Sequence, residues 1–384
     1  MTIFQTPKIL NVEMETIVKI DEIQNALKHA LQTPKLWTGL LRRNLTARAI
    51  QGSNSIEGYN VTIEDAVAAA EGDEPTQARA DTWAAITGYR NALTYIVQLS
   101  DDQHFTFNEE LIRSLHYMML SYAPAKNPGR WRPGLIFVRR DPSGEIVYEG
   151  PDAELVPKLI HEFVQDVQTH DGSVHPMVRG AMAHLNLVMI HPFSDGNGRM
   201  GRAIQTLVLA RDGILASPFS SIEEYLGSRG NTEAYYEVLG KVGGGKWSPE
   251  HDARPWLRFC LLAHLHQALT VSRRAKEIAR LWSELETELT RRKLDERMIY
   301  ALYDAAIQLR VRSARYRSVA DVSNQVATRD LRTLVRAGLL APKGEKRGRS
   351  YVASEALVAI RDKTREPRVP LEDPFKATQL ALGV

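Results

Sequence analysis

The sequence predicts a mainly α-helical protein with one β-hairpin near its middle and a smaller helix–turn–helix unit, followed by its own hairpin, at the C-terminal end. Three observations carry that expectation. Apolar residues recur at helical spacing through most of the chain up to Leu294. Two β-prone runs, Leu135-Ile136-Phe137-Val138 and Glu145-Ile146-Val147-Tyr148, flank the turn signal Asp141-Pro142-Ser143-Gly144. Residues 318–340 read as two short helices around a turn, and a basic segment over 341–352 reads as a second hairpin.

In order, helices are expected at Glu22–Leu31, Val61–Glu71, Thr76–Leu99, Glu109–Leu120, Leu155–Val167, Val178–Ile190, Arg199–Arg211, Tyr235–Leu239, Pro255–Leu269 and Arg273–Leu294. Punctuation is clearest at Ala123–Gly129, which holds two prolines, and at Val242–Lys246, which holds three glycines. From about residue 366 onward, prolines and weak periodicity predict a loosely ordered tail. The expected division is an N-terminal helical region over 1–100, a central domain over 101–265, a connecting helix over 266–294, a C-terminal unit over 295–360 and the tail over 361–384.

With 384 residues the chain can build two or three compact units, and 43% hydrophobic with 25% charged residues is ordinary for a soluble globular protein. A net charge of +3 gives no global pull toward nucleic acid or membrane. The single cysteine, Cys260, lies in the apolar run Trp256–Leu262 and reads as a small hydrophobe, which suits a reducing compartment. Lys8, Glu13, Glu15 and Lys19 interrupt the N-terminal apolar residues, so no signal peptide is expected there. No apolar run approaches the length of a membrane span, and a cytoplasmic location is expected.

The most informative stretch is His191-Pro192-Phe193-Ser194-Asp195-Gly196-Asn197-Gly198-Arg199-Met200-Gly201-Arg202. It joins two expected helices, and its small residues open the second. Unpaired amides and the positive end of a helix dipole therefore face the loop, and a phosphate is their natural occupant. Gly196 and Gly198 let the backbone form a tight anion nest. Asn197 tolerates that conformation and offers an amide donor. Arg199 and Arg202, three apart, share a helix face and can clamp two phosphates. Asp195 supplies a hard oxygen suited to Mg²⁺. His191 has the pKa of a general base near neutral pH, and Phe193 anchors the loop inward.

That string resembles the Fic family motif H-x-F-x-[D/E]-G-N-[G/K]-R-x-x-R and fits it at every specified position. The resemblance implies a protein adenylyltransferase, which moves AMP from ATP to a Tyr, Thr or Ser hydroxyl and releases pyrophosphate. On that implication His191 deprotonates the target hydroxyl and Asp195 holds Mg²⁺ (or Mn²⁺) against the α- and β-phosphates. Gly196, Asn197 and Gly198 form the anion hole, with Asn197 touching the α-phosphate, and Arg199 and Arg202 bind the β- and γ-phosphates. Ser53-Asn54-Ser55-Ile56-Glu57-Gly58 resembles the family's inhibitory motif [S/T]-x-x-x-E-[G/N]. Ser53 and Glu57 stand one helical turn apart on one face. In the family this glutamate pairs with the second motif arginine, here Arg202, and blocks the γ-phosphate. The hairpin at Leu135, Ile136, Phe137 and Val138 resembles the Fic flap, which pairs with an extended target segment by strand addition. Asn231-Thr232-Glu233-Ala234-Tyr235-Tyr236 resembles the N-x-x-x-Y-Y segment near the adenine, which places Asn231 and Tyr236 there, unless the tyrosines are simply core. His184, two turns before His191, reads as a hydrogen-bonded core histidine.

The C-terminal unit, with a recognition-type helix and a basic wing, resembles a winged-helix domain. Between Arg310 and Arg349 eleven Lys and Arg face only Asp321, Asp330 and Glu345, the excess that phosphate-backbone binding needs. DNA contact and protein contact both remain open for this face. The expected partners are a protein with an exposed hydroxyl side chain and the chain itself as a substrate, with a homodimer left open. Two further readings stay beside the enzyme: a DNA-binding regulator using the fold as a nucleotide sensor, and an enzyme that also removes AMP.

Overall fold

The computed structural model describes residues 2–32, 35–75, 77–140, 143–169, 172–344, 349–368 and 370–376. Helices dominate, and the sheets among the described residues are two antiparallel two-stranded ones. The chain forms two compact units, one of residues 1–33, 42–270 and 371–384, the other of 34–41 and 271–370. No helix among the described residues is long and apolar enough to cross a membrane.

The first unit runs α1 (Asn11–Leu31), α2 (Leu36–Ile56, whose first turns belong to the second unit), α3 (Ile63–Glu71), α4 (Ala80–Ser100), α5 (Glu109–Leu120), β1 (Phe137–Arg140), β2 (Glu145–Glu149), α6 (Val156–Gln168), α7 (Pro176–Ile190), α8 (Asn197–Asp212), α9 (Glu223–Leu226), α10 (Asn231–Gly243) and the start of α11 (Arg254–Arg291). Helix α7 is the centre. One apolar cluster packs Ile86, Tyr89, Ile112, Leu115, Phe163, Ile204 and Leu207 against its Leu187 and Ile190. A second packs Ile17, Ile20, Leu226, Tyr235, Trp256 and Leu261 against its Met182 and Leu185. A helix flanked by apolar clusters has no surface stripe, which explains why Val178–Ile190 is apolar nearly throughout.

Several elements depart from expectation. Helix α1 starts at Asn11, not Glu22, because Glu13 is fully buried. Its carboxylate accepts from the Leu10 amide at 2.5 Å and pairs with Arg258 at 2.8 Å and Arg254 at 3.2 Å. Outside Ser53–Glu57, helix α2 has no counterpart in the expected elements, since Gly39, Gly52 and Asn54 dilute its pattern and burial of Leu45, Ile50 and Ser53 supplies what propensity lacks. The two helices expected at 255–269 and 273–294 are one, so the separate connecting helix over 266–294 is the later part of α11, and buried Val271 carries the stripe across the expected break. The first hairpin pairs Phe137 with Glu149 and Val138 with Tyr148, with a bulge after Val138. Leu135 and Ile136 therefore precede the strand, and Asp141 and Pro142 lie outside the described residues. Helix α10 extends well beyond the expected Tyr235–Leu239 in both directions.

The second unit continues with α12 (Ile299–Ala306), α13 (Ser313–Ala320), α14 (Asn324–Arg336), β3 (Leu340–Lys343), β4 (Ser350–Ala353) and α15 (Glu355–Thr364). Strand β3 pairs with β4, and Val311 forms a further bridge with Tyr351 through bonds of 2.8 and 2.9 Å. Buried Asp330 fixes α14, accepting from Arg297 at 2.7 and 3.2 Å and from the Tyr316 hydroxyl at 3.0 Å. Of the basic hairpin, Glu345 to Gly348 lie outside the described residues. The tail is helical as far as Thr364, and residues 377–384 are not among those described.

Candidate active site

Helix α7 stops at His191, which takes a left-handed conformation (φ 51°) while its amide still donates to Leu187 O at 3.0 Å. A non-glycine residue holds that conformation only when its surroundings impose it. Here Arg132 does so, its Nε donating to His191 O at 2.8 Å and its amide to Pro192 O at 2.9 Å. Phe193 is fully buried and stacks on His116 with centroids 3.6 Å apart. His116 accepts from the Gly129 amide through Nδ1 at 2.8 Å, so Nε2 carries the proton and donates to Asp195 O at 2.9 Å. Burial holds its pKa down to about 4, which keeps that tautomer neutral. Gly196 closes the loop at φ 80°, where a Cβ would meet Leu120 Cδ1 at 2.7 Å. The Asn197 side chain is tied into the loop as well: Oδ1 accepts from Phe193 N at 2.9 Å and Nδ2 donates to Phe193 O at 2.8 Å. Its amide group thus shapes the loop and does not reach outward as expected.

His191 Nδ1 lies 3.0 Å from Val188 O. A carbonyl only accepts, so Nδ1 carries the hydrogen and Nε2 keeps a free lone pair. Burial pushes the imidazole below its ordinary 6.5, outweighing the bond to Val188. The side chain is therefore a neutral base at physiological pH.

Arg199 and Arg202 project from the first turns of α8, both nearly inaccessible to solvent. Arg202 donates through Nε to Ser53 Oγ at 2.7 Å, and through Nη2 to Ser53 O at 3.0 Å and Glu57 Oε1 at 2.7 Å. Burial alone would make its charge costly, and Glu57, with Tyr235 and Tyr89 beside it, together more than offset this. A Cβ on Gly198 would collide with Glu57 Oε1, so the carboxylate sits directly on the opening turn of α8, where an anion belongs. Meanwhile Arg202 Nη1 and Arg199 Nε and Nη1 are buried without a hydrogen-bond partner among the described residues. Buried guanidinium donors left unmade are costly, and polyphosphate oxygens are the acceptors that fit them.

Asp195 accepts from the Gly196 amide at 2.6 Å and forms an ion pair with Lys126. Burial would raise its pKa, but Lys126, Arg199 and the Gly196 amide together hold it below the usual carboxylate range. No group of three or more His, Cys, Asp or Glu stands ready for a metal among the described residues. One ionised carboxylate beside a phosphate site suits Mg²⁺, which takes few protein ligands and completes its shell with phosphate and water.

The hairpin is fastened beside this loop, with Tyr148 OH donating to Met189 O at 2.7 Å and the Gly150 amide to Ile136 O at 3.1 Å. Leu135, Phe137 and Ile146 are exposed. Asn231 and Tyr236, expected near an adenine, are held by bonds to neighbouring backbone and side chains. Asn231 Nδ2 donates to Tyr225 O and Ser228 Oγ, both at 2.9 Å, and Tyr236 OH donates to Ile56 O at 3.2 Å. His184 is a core histidine as expected, bonded to Gln205 at 2.7 Å and Tyr235 at 3.0 Å. Sequence reasoning missed His116, Arg132, Lys126 and Tyr59. Arg132 had a visible signal in its place just ahead of the hairpin, whereas His116 had none.

Fold and site together define a helical protein in which two buried arginines and a carboxylate meet at the loop that opens α8. Among known proteins, residues 106–209 match the Fic/DOC family. It is 26% identical over 255 residues to Protein adenylyltransferase Fic of Nematostella vectensis, covering 66% of this chain and 55% of that protein. The protein of that name in Drosophila virilis is 27% identical over 255 residues, covering 65% and 47%. The chain thus spans about half the length of the curated relatives it matches. The crystal structure of a Fic family protein from Desulfovibrio desulfuricans G20 shares the fold, with a TM-score of 0.55 at 21% identity over 92% of this chain and 99% of that one.

Proposed function

We propose that this protein transfers AMP from ATP to a hydroxyl side chain of a protein, itself included, and that Glu57 holds it inactive. The observation that carries the reading is the buried Arg202, bonded to Glu57 at 2.7 Å with Nη1 unpaired among the described residues, at the opening of α8. His191 Nε2 takes the proton of the attacking hydroxyl as its oxygen bonds to the α-phosphorus. The bond between that phosphorus and the bridging oxygen breaks, and pyrophosphate leaves with the electron pair. Amides of the first turn of α8 bind the charge that develops, and Arg199 and Arg202 take the β- and γ-phosphates. Asp195 would hold Mg²⁺, which when bound neutralises phosphate charge. The hairpin at Phe137 and Val138 offers an edge for an extended target segment. The catalytic domain of this reading spans 101–265, and buried Cys260, kept as a thiol, accords with a cytoplasmic setting. The test is His191→Ala in a Glu57→Gly background: AMP transfer should fall roughly two to four orders of magnitude while ATP affinity persists. Equal transfer rates would remove His191 from the mechanism.

A DNA-binding role for the second unit has its own support. On α14, Gln325, Arg329, Arg332 and Arg336 are exposed on one face while Ala327, Leu331 and Leu334 are buried on the other. The order of its elements fits a winged helix with α14 as the reading helix. The full chain should shift a DNA duplex at low salt, with affinity falling steeply as salt rises, and Arg329→Ala with Arg332→Ala should abolish the shift. No shift at low salt would favour a protein partner for this face.

A further inference from the structure

The turn that carries Glu57 also carries Tyr59, whose amide donates to Asn54 O at 3.0 Å beside the Glu57 amide at 3.1 Å on the same acceptor. The two side chains therefore reach the phosphate loop as one rigid piece. Glu57 reaches Arg202, while the Tyr59 ring lies 5.3 Å from the Arg199 guanidinium and its hydroxyl oxygen accepts from Lys126 Nζ at 3.3 Å. Tyr122 OH donates to the same oxygen at 3.4 Å. Lys126 closes a short turn, Pro124–Lys126, ended by Asn127 in a left-handed conformation, so its backbone is preset. From there the ammonium pairs with Asp195 Oδ2 while Gly196 N occupies Oδ1. Both oxygens of the one carboxylate in the loop are engaged.

We infer that Lys126 is the resident counter-cation of Asp195, positioned by Tyr59, and that a divalent cation can reach Asp195 only by displacing it. The inference rests on the reading of Asp195 as the metal ligand proposed above. Its consequence is that one turn closes two sites: Glu57 covers the γ-phosphate clamp, and Tyr59 steadies the lysine that covers the metal carboxylate. Lys126 and Asp195 are each about one-third exposed (37% and 34%), so the ammonium can swing into solvent and the barrier is modest. Lys126 is a positioning residue here, acting on the metal through Asp195.

The test measures binding, not turnover, in full-length protein carrying Glu57→Gly. Calorimetry gives the affinity for α,β-methylene ATP, which cannot be cleaved at the α-phosphorus, once with Mg²⁺ and once with EDTA. By linkage, the ratio of the two affinities reports how strongly the metal couples to the site. Lys126→Met should enlarge that ratio about three- to tenfold, because the metal-bound complex loses a competitor and the metal-free one loses a cation. Lys126→Arg, which keeps the charge, should leave the ratio near its starting value, and Tyr59→Phe should fall between. A ratio unchanged or reduced in Lys126→Met, or enlarged equally by Lys126→Arg, overturns the inference. Failure of the underlying reading looks different: Asp195→Ala in the same Glu57→Gly background would then leave the ratio of the two affinities unchanged.

Discussion

On the proposed function, replacing Glu57 with glycine should raise AMP transfer, and the structure sets the size of the effect. The Arg202–Glu57 contact is 2.7 Å, with the arginine side chain 1% exposed and the glutamate 22% exposed. Unit charges about 4 Å apart at an effective dielectric near 20 attract by about 4 kcal/mol, and the open side of Glu57 lets water screen some of that. A contribution of about 2–4 kcal/mol corresponds to roughly thirty- to thousandfold in the rate of a reaction that must displace it. Glycine at 57 costs little in folding, because α2 ends at Ile56. Arg202 also stays in place without Glu57, since Ser53 Oγ and Ser53 O hold it at 2.7 and 3.0 Å. The vacated carboxylate position, over Gly198, is then open to a phosphate. The assay is automodification and target labelling with radioactive ATP at saturating ATP and Mg²⁺, Glu57→Gly against the parent chain, with Arg202→Ala as a variant that removes the phosphate ligand itself. Glu57→Gly labelling no faster than the parent, or Arg202→Ala activating as strongly, refutes the competition argument.

Three further outcomes are expected. Because burial holds His191 below 6.5, transfer by the released enzyme should stay flat from pH 8 down to 6.5 and fall only in more acidic buffer; a half-maximal point above 6.5 contradicts this. Asp195→Ala should abolish the dependence of activity on added Mg²⁺, and an unchanged Mg²⁺ titration curve would put the metal elsewhere. Glu223 is buried beneath the site, accepts from Tyr89 OH and is held up to about 7, so the folded protein keeps a proton that the unfolded chain releases from about pH 4.5 upward. Stability should therefore decline from pH 5 to 8 by on the order of 3 kcal/mol from this group, and Glu223→Gln should flatten the decline in melting temperature; an identical slope in both proteins excludes Glu223 as its source.

The loop from His191 to Arg202 was legible because its chemistry is local: residue types, spacing and two flanking helices sit in one short stretch. The Ser53–Glu57 pair was legible by its spacing and its resemblance, although the helix bearing it was not. Helix α2 depends on tertiary burial that no local pattern carries, and α1 depends on a buried acid, Glu13, that reads from sequence as surface. The supports of the loop were hidden for the same reason. His116 and Arg132 lie 79 and 59 residues from the loop atoms they hold; Arg132 is marked only by its place ahead of the hairpin, and nothing in its own neighbourhood marks His116. Asn197 was placed correctly in the loop but misjudged in direction, because only the fold reveals that its side chain closes on Phe193.

The central claim is that the bond broken lies at the α-phosphorus of ATP. The most direct measurement incubates the Glu57→Gly protein with Mg²⁺ and ATP labelled either at the α- or at the γ-phosphate, and reads the label retained on protein. The account predicts retention from α-labelled ATP, none from γ-labelled ATP, and loss of the former with His191→Ala. Retention of the γ-label would make the protein a phosphotransferase, and retention of neither would contradict group transfer altogether.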